Sequence, residues 1–145
     1  MDVNRFLQRC FRRYASRTAL EIAGSKSWSF NDLEAEIKNL ASMMQNELDL
    51  EAGDRVALFT ENSVEGIVLL LSCWYSGIGV AEIKPHTSSE TLSYYLGDWE
   101  PDGLFYSGDL KENVDNADIS VIREKIRLED MEYSAYSGLK HPGDL

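Results

Sequence analysis

The feature that most constrains the fold is an alternation of short apolar segments and longer helical segments over residues 54–107. Residues 56–59, 80–83 and 103–106 are apolar and short enough to be buried strands, and the two stretches between them are long enough to be helices. Strands separated by single helices require right-handed crossovers, which produce a parallel sheet with helices on both faces. The sequence therefore predicts an α/β protein with a β-α-β-α-β unit.

The first helix of this unit is predicted to begin at Asn62 or Ser63 and to end at Gly77. Residues 67–71 are apolar on every side of the helix, so it must be covered on most of its surface. Gly77 and Gly79 do not form a dinucleotide fingerprint, because they follow a helix and precede a strand. The pair is interpreted as a helix stop.

The second helix is predicted to begin with a capping box between Thr87 and Glu90. Its apolar stripe has the spacing i, i+3, i+4, i+7 and consists of Leu92, Tyr95, Leu96 and Trp99. Five aromatic residues fall on the two helices, and core packing is expected for them, with an aromatic binding platform as the alternative. They are Trp74, Tyr75, Tyr94, Tyr95 and Trp99.

An amphipathic, Arg-rich helix and a small hairpin are predicted before this unit. The helix lies within residues 3–17, and its spacing favours a buried stripe with the arginines in solvent; a transit peptide is the alternative. The stripe is Val3, Phe6, Leu7, Cys10 and Tyr14, and the solvated residues are Arg5, Arg9, Arg12 and Arg13. Strands at 18–23 and 27–30 flank a turn at residues 24–26.

A long amphipathic helix is predicted after the hairpin, with Asn31 as N-cap and Glu34 completing a capping box. It ends before Gly53. Beyond the β-α-β-α-β unit, residues 108–118 are predicted to be a polar loop and residues 119–122 a last strand, whereas residues 124–145 have no sustained period.

Composition limits the function classes. The chain has 145 residues and a net charge of -11, which disfavours nucleic acid as a partner because phosphates require clustered cations. Five Arg and one Asp give residues 1–17 a net charge of +4, which leaves -15 on the rest. Cys10 and Cys73 have no metal-ligand spacing and are expected to be buried thiols in a reducing compartment, the cytoplasm or, as the alternative, an organelle. No apolar run reaches the roughly 20 residues of a membrane span.

Catalytic and metal-binding patterns are absent from the sequence. No Gly-Lys dipeptide is present, so a phosphate loop cannot be built. His86 lies beside a proline, where a solvated or helix-capping role is expected, and His141 lies in the C-terminal segment. Neither histidine has a second ligand at metal spacing. The acidic pairs at 34/36 and 129/130 are interpreted as solvated faces or turn residues.

Five short segments of the sequence, taken in order, resemble the motifs of a known protein family. They lie at residues 28–41, 53–58, 62–65, 77–85 and 88–101 and include WSFNDL, GDRVAL, NSVE and GIGVAEIKP. In this order and spacing they resemble the beginning of the adenylate-forming (AMP-binding) superfamily of acyl-CoA synthetases, aryl-CoA ligases, peptide-synthetase adenylation domains and luciferases. The resemblance covers nearly the whole chain.

Two residues depart from the pattern of that superfamily. Glu82 stands where the family usually has a proline, and Lys84 stands where it has an asparagine. A charged residue in this strand indicates either an edge position in the sheet or an altered substrate-side surface. The pattern leaves open whether Lys84 or His86 lines a site.

The resemblance implies that residues 1–123 are the N-terminal α/β subdomain of a ligase and that residues 124–145 are an irregular tail leading to the family's phosphate-binding loop. The family residues that handle ATP, magnesium and the carboxylic acid would follow Leu145. No catalytic, cofactor-binding or metal-binding residue is therefore expected in this chain. ATP, Mg and CoA or a carrier thiol are implied for the complete enzyme.

The expected function is a scaffold portion of such a ligase that is inactive alone and that partners the remainder of the enzyme, covalently or as a split protein. The alternative is a free-standing noncatalytic α/β module that binds a partner or regulates one. Self-association is expected because a partial domain leaves sheet edge and helix surface uncovered.

Overall fold

A parallel sheet forms the centre of the computed structural model, which describes residues 3–131. In chain order the elements are α1 Val3–Arg13, β1 Thr18–Glu21, β2 Ser27–Ser29, α2 Phe30–Asn46, β3 Arg55–Phe59, α3 Val64–Ser76, β4 Gly79–Ile83, α4 Ser89–Trp99, β5 Gly103–Tyr106, α5 Lys111–Asp115 and β6 Glu124–Arg127. The sheet order is β4-β3-β5-β6 with every pair parallel, and β1 and β2 form a separate antiparallel hairpin. The predicted α/β fold class is confirmed.

Helices cover both faces of the sheet, and the alternation of side chains along β3 divides the core. Val56 and Leu58 face a cluster formed with α1, α2 and α3, whereas Ala57 and Phe59 face a cluster formed with α4 and α5. Because β3 is an inner strand with helices packed on both faces, its residues form a continuous apolar run.

The cap of α2 differs from the prediction. Ser29 rather than Asn31 is the N-cap: its Oγ accepts the Asp32 N–H at 3.0 Å, and the Asp32 carboxylate accepts the Ser29 N–H at 3.0 Å. This reciprocal capping box replaces the one expected between Asn31 and Glu34, because the helix begins directly at the end of β2.

Capping residues also determine where α3 and α4 begin and where α3 ends. Ser63 caps α3 by accepting the Gly66 N–H, and Gly77 ends it in the left-handed conformation with φ 73°, as predicted. Ser88 caps α4 by accepting the Thr91 N–H, so the capping box expected from Thr87 is wrong by one residue.

The buried stripe of α1 is also displaced from the predicted one. Leu7 and Phe11 are buried against α2 and α3, whereas Val3 and Phe6 are exposed. The Asn4 side chain donates to a backbone carbonyl of α3, which fixes this rotation of the helix. The helix is confirmed, but its inward face is centred between Leu7 and Phe11.

The prediction of core packing is wrong for three of the five aromatic residues on α3 and α4. Trp74, Tyr94 and Tyr95 are exposed, whereas Tyr75 is buried. Trp99 is half-buried, with its indole N–H donating to a backbone carbonyl of β3 at 3.0 Å. The helices therefore present aromatic surface on the sides that face away from the sheet.

The segment after β5 differs most from expectation. A 3-10 turn at Gly108–Leu110 and α5 occupy most of the predicted polar loop. The strand expected at 119–122 is wrong, because Ile119 and Ile122 are buried in a loop against α4 and α5. The fourth strand is β6, so the irregular segment expected from residue 124 is corrected for 124–130, where β6 and a second 3-10 turn lie.

The edge position expected from Glu82 is confirmed, because β4 is an outer strand and Glu82 is exposed. His141 and the segment 141–145 lie outside the described residues. Within residues 3–131, no helix is both long and apolar enough to cross a bilayer.

Candidate functional site

The candidate site is a cleft at the carboxyl edge of the parallel sheet. Since all four strands are parallel, the residues that follow them meet at one edge, which is where α/β sheets usually bind ligands. The cleft is open and has a volume of about 480 Å³. Its walls come from α2, the segments after β3 and β5, the start of α3 and the segment after β6, and its lining is Glu36, Glu61, Ser63, Glu65, Ser107, Asp109, Leu128, Glu129 and Met131.

A ring of three hydrogen bonds joins the ends of β3 and β5 in this cleft. The Thr60 hydroxyl donates to the Glu61 carbonyl at 2.8 Å, and the Glu61 N–H donates to the Ser107 Oγ at 2.9 Å. The hydroxyls of Thr60 and Ser107 are 2.5 Å apart, so Ser107 donates to Thr60 and closes the ring. Because Ser107 is buried, the ring satisfies its hydroxyl without water.

His86 contacts the rim of the cleft through Glu61. Its Nε2 lies 2.5 Å from the Glu61 Oε1, and its backbone has φ 66°, a conformation that is uncommon for residues with a Cβ. The helix-capping role considered for His86 is not observed, since Ser88 caps α4. Lys84 is exposed, and neither Lys84 nor His86 lines the cleft.

Glu129 closes another side of the cleft. Both of its carboxylate oxygens accept the Gly108 N–H, at 3.0 and 2.8 Å, and one lies 3.3 Å from the Arg127 Nε. Partial burial opposes ionisation and raises the pKa of Glu129, but the Gly108 N–H and Arg127 outweigh it, so the net pKa lies below the ordinary value. Glu129 is exposed and lies in the 3-10 turn Leu128–Asp130, so its interpretation as a solvated or turn residue is confirmed, and its contact with the Gly108 N–H is an additional finding.

The electrostatics of the cleft disfavour a nucleoside triphosphate. Five carboxylates line it, and Arg127 alongside is paired with Glu129. Within residues 3–131, no group of three or more His, Cys, Asp or Glu side chains is placed to hold a metal ion. The cleft therefore does not fit ATP, and no chemical step is assigned to its residues.

Sequence reasoning missed the ring formed by Thr60, Glu61 and Ser107. Thr60 and Ser107 each directly follow a buried strand, at Phe59 and Tyr106. Residues that directly follow parallel strands lie at the same edge of the sheet, so the position of Thr60 and Ser107 after strands is the sequence signal that indicates their shared edge. The pairing itself depends on β3 and β5 being adjacent, which the order of elements along the chain does not specify.

Comparison with known proteins identifies the family. A model of the AMP-binding enzyme family matches residues 7–143. The chain belongs to the AMP-binding enzyme family. A component of plipastatin synthase from Bacillus subtilis (strain 168) is 28% identical over 111 residues, which is 74% of this chain and 4% of that protein. The chain therefore spans a small fraction of the curated relative's length.

Solved structures of AMP-binding enzymes have the same fold. The N-terminal domain of FACL13 from Mycobacterium tuberculosis superimposes with a TM-score of 0.83 at 18% identity, covering 97% of this chain and 37% of that one. A benzoate CoA ligase from Burkholderia xenovorans LB400 gives 0.80 at 19% identity, covering 98% and 29%. The resemblance inferred from the sequence phrases is confirmed, and the fold is that of the N-terminal part of adenylate-forming ligases.

Proposed function

We propose that this chain is the N-terminal scaffold portion of an ATP-dependent adenylate-forming ligase and that it is inactive alone. The observation that supports this best is the family match over residues 7–143, combined with superposition of nearly the whole chain on 29–37% of two longer AMP-binding proteins. The complete enzyme would activate a carboxylic acid and usually transfer it to the thiol of CoA or of a carrier.

The chemistry proposed for the complete enzyme has two balanced steps. A carboxylate oxygen attacks the α-phosphorus of ATP, and pyrophosphate leaves with its bond electrons. The thiol then attacks the acyl carbonyl, loses its proton, and AMP leaves. AMP is a far better leaving group than hydroxide, which is why the acyl group of an otherwise inert carboxylate can be transferred to a thiol. ATP, Mg and CoA or the carrier thiol belong to the complete enzyme in this proposal.

The acidic cleft supports inactivity of the isolated chain. Transition states of phosphoryl transfer need positive charge against the phosphate oxygens, whereas the cleft presents five carboxylates. The proposed role of the described residues is to build the wall against which the remainder of the ligase packs. A reducing, cytoplasmic setting is part of the proposal, because Cys10 and Cys73 are both free thiols.

The coding transcript tests this proposal. Reading the RNA beyond the codon for Leu145 should reveal a Ser/Thr/Gly-rich phosphate loop, in frame or at the start of an adjacent reading frame. The purified 145-residue chain should give no acid-dependent exchange between ATP and pyrophosphate. A transcript without the loop in either place would contradict the ligase proposal and would favour a noncatalytic module instead.

A further inference from the structure

The outward side of α1 combines apolar and cationic residues. Val3, Phe6, Arg9 and Arg13 lie along one side of the helix, and we call this set the basic face. Val3 is 52% exposed and Phe6 is 54% exposed, so two large apolar side chains lie in water. Within residues 3–131, neither Arg9 nor Arg13 forms an ion pair with a carboxylate. The basic face therefore has exposed apolar area and positive charge without a carboxylate partner among residues 3–131.

The outward side of α4 carries charge of the opposite sign to the basic face of α1. Glu90, Tyr94 and Asp98 follow one another at i, i+4 and i+8, with Tyr95 beside them, and we call this set the acidic face. Tyr94 is 71% exposed and Tyr95 is 46% exposed, and their rings lie 6.1 Å apart. In the described part of the chain, Glu90 and Asp98 also lack cationic partners.

We propose that the basic face of one copy of this chain docks on the acidic face of another. Both helices have 11 residues, and each face combines exposed apolar or aromatic side chains with two charges opposite to those of the other face. On α4 the two tyrosines lie between the carboxylates, whereas on α1 the two apolar residues precede the two arginines. Stacking of arginine on tyrosine is a geometry that the chain already uses, since Arg13 and Arg17 lie 5.5 and 5.3 Å from the Tyr14 ring centroid. Charge complementarity thus selects a second copy as the occupant.

The position of the two faces determines the kind of assembly. α1 belongs to the core cluster on one side of the sheet and α4 to the cluster on the other side. A copy that uses its basic face still has its acidic face free, so the contact is head-to-tail and does not close in a pair. Association should therefore grow with concentration beyond a dimer.

Sedimentation velocity of the full chain is the primary test. The proposal predicts a weight-average mass that rises with concentration at about 0.1 M salt and falls back at about 1 M, where the Debye length shrinks from about 10 Å to about 3 Å. At about 0.1 M the repulsion between whole molecules of net charge -11 is already largely screened, so the change reports the local contact. A monomer at all concentrations would overturn the proposal.

Charge reversal on each face gives a sharper result. The double variants Arg9→Glu with Arg13→Glu, and Glu90→Lys with Asp98→Lys, should each lower the association constant at least about tenfold. Mixed in equal amounts they should associate again, because the intact basic face of one variant meets the intact acidic face of the other, and the two reversed faces are also opposite in charge. Variants that associate like the wild type, or a mixture that remains monomeric, would contradict the docking.

Two further variants match the change in net charge without touching either face. Arg123→Glu with Lys125→Glu, and Glu47→Lys with Glu51→Lys, alter exposed residues on other elements and should leave the association constant within about twofold of wild type. Circular dichroism confirms that each variant is folded. If the wild type stays monomeric but sediments with phosphatidylserine vesicles, the basic face binds lipid and the proposal of a second copy is wrong.

Discussion

Removing the Ser107 hydroxyl should destabilise the chain, because a backbone donor at the cleft then loses its acceptor. Ser107 is buried, and its Oγ accepts the Glu61 N–H at 2.9 Å and contacts the Thr60 hydroxyl. In Ser107→Ala, the Glu61 N–H loses its acceptor, while Thr60 keeps its bond to the Glu61 carbonyl. The Glu61 N–H is partly buried, and an orphaned donor costs about 1–3 kcal/mol, so we expect a loss of about 2 kcal/mol in the free energy of unfolding.

Urea unfolding followed by far-UV circular dichroism measures this loss. With a slope of about 2 kcal/mol per molar urea, a loss of about 2 kcal/mol lowers the midpoint by about 1 M. The matched control is Ser120→Ala, an exposed serine outside the cleft, whose effect should stay within about 0.5 kcal/mol. Hydrogen exchange at the Glu61 amide should also accelerate in Ser107→Ala. Equal midpoints for the two variants would mean that the ring does not hold the ends of β3 and β5 together.

Three further predictions address a helix end, a buried thiol and a carboxylate. Gly77→Ala should lower the free energy of unfolding by about 1–2 kcal/mol, measured by heat or urea, since φ 73° is strained for any residue with a Cβ. The control is Gly97→Ala, in the interior of α4 with open space around it, which should leave the free energy of unfolding unchanged or raise it by up to about 1 kcal/mol. Cys73 should not react with a thiol reagent at neutral pH in the folded chain, because burial raises its pKa to about 12, so native labelling should modify only Cys10. Glu129→Gln should weaken the loss of stability in acid: the folded-state pKa of Glu129 is lowered, so its contribution is present above the unfolded pKa and disappears as pH falls through the folded one.

Each of these has a result that would count against it. Equal stabilities of Gly77→Ala and Gly97→Ala would contradict the strain at the end of α3. Two reactive thiols per folded chain would mean that Cys73 is not enclosed in the core. An unchanged slope of stability against pH in Glu129→Gln, measured from neutral pH down through the acid range, would mean that the Gly108 N–H does not favour the ionised carboxylate.

The centre of the fold could be predicted because local and tertiary signals agree there. β3 is buried on both faces, so its residues form an apolar run, and α3 is bounded by a serine cap and a left-handed glycine that the sequence displays directly. β6 could not be predicted, since three of the four residues of Glu124–Arg127 are charged and the strand lies at the edge of the sheet. The strand was predicted at Ile119 and Ile122 instead, because apolar residues that are buried in a loop give the same sequence pattern as apolar residues in a short buried strand.

The rotation of α1 and the composition of the cleft depend on contacts that are distant in sequence. Val3 and Leu7 are equally apolar, and only the packing of α1 on α2 and α3 decides that Leu7 is buried and Val3 is not. The ring at the cleft joins Thr60 and Ser107, which are 47 residues apart. Spacing along the chain indicates which residues follow strands, but adjacency of β3 and β5 brings them together.

Exchange between ATP and radiolabelled pyrophosphate tests most directly whether this chain is a scaffold portion of an adenylate-forming ligase. The purified 145-residue chain is assayed with Mg and a panel of aliphatic, aromatic and amino acids, beside a complete AMP-binding ligase as the positive control. We expect no acid-dependent exchange above the background measured without protein. Robust acid-dependent exchange by the isolated chain would contradict it, because residues 1–145 would then contain the whole adenylation site.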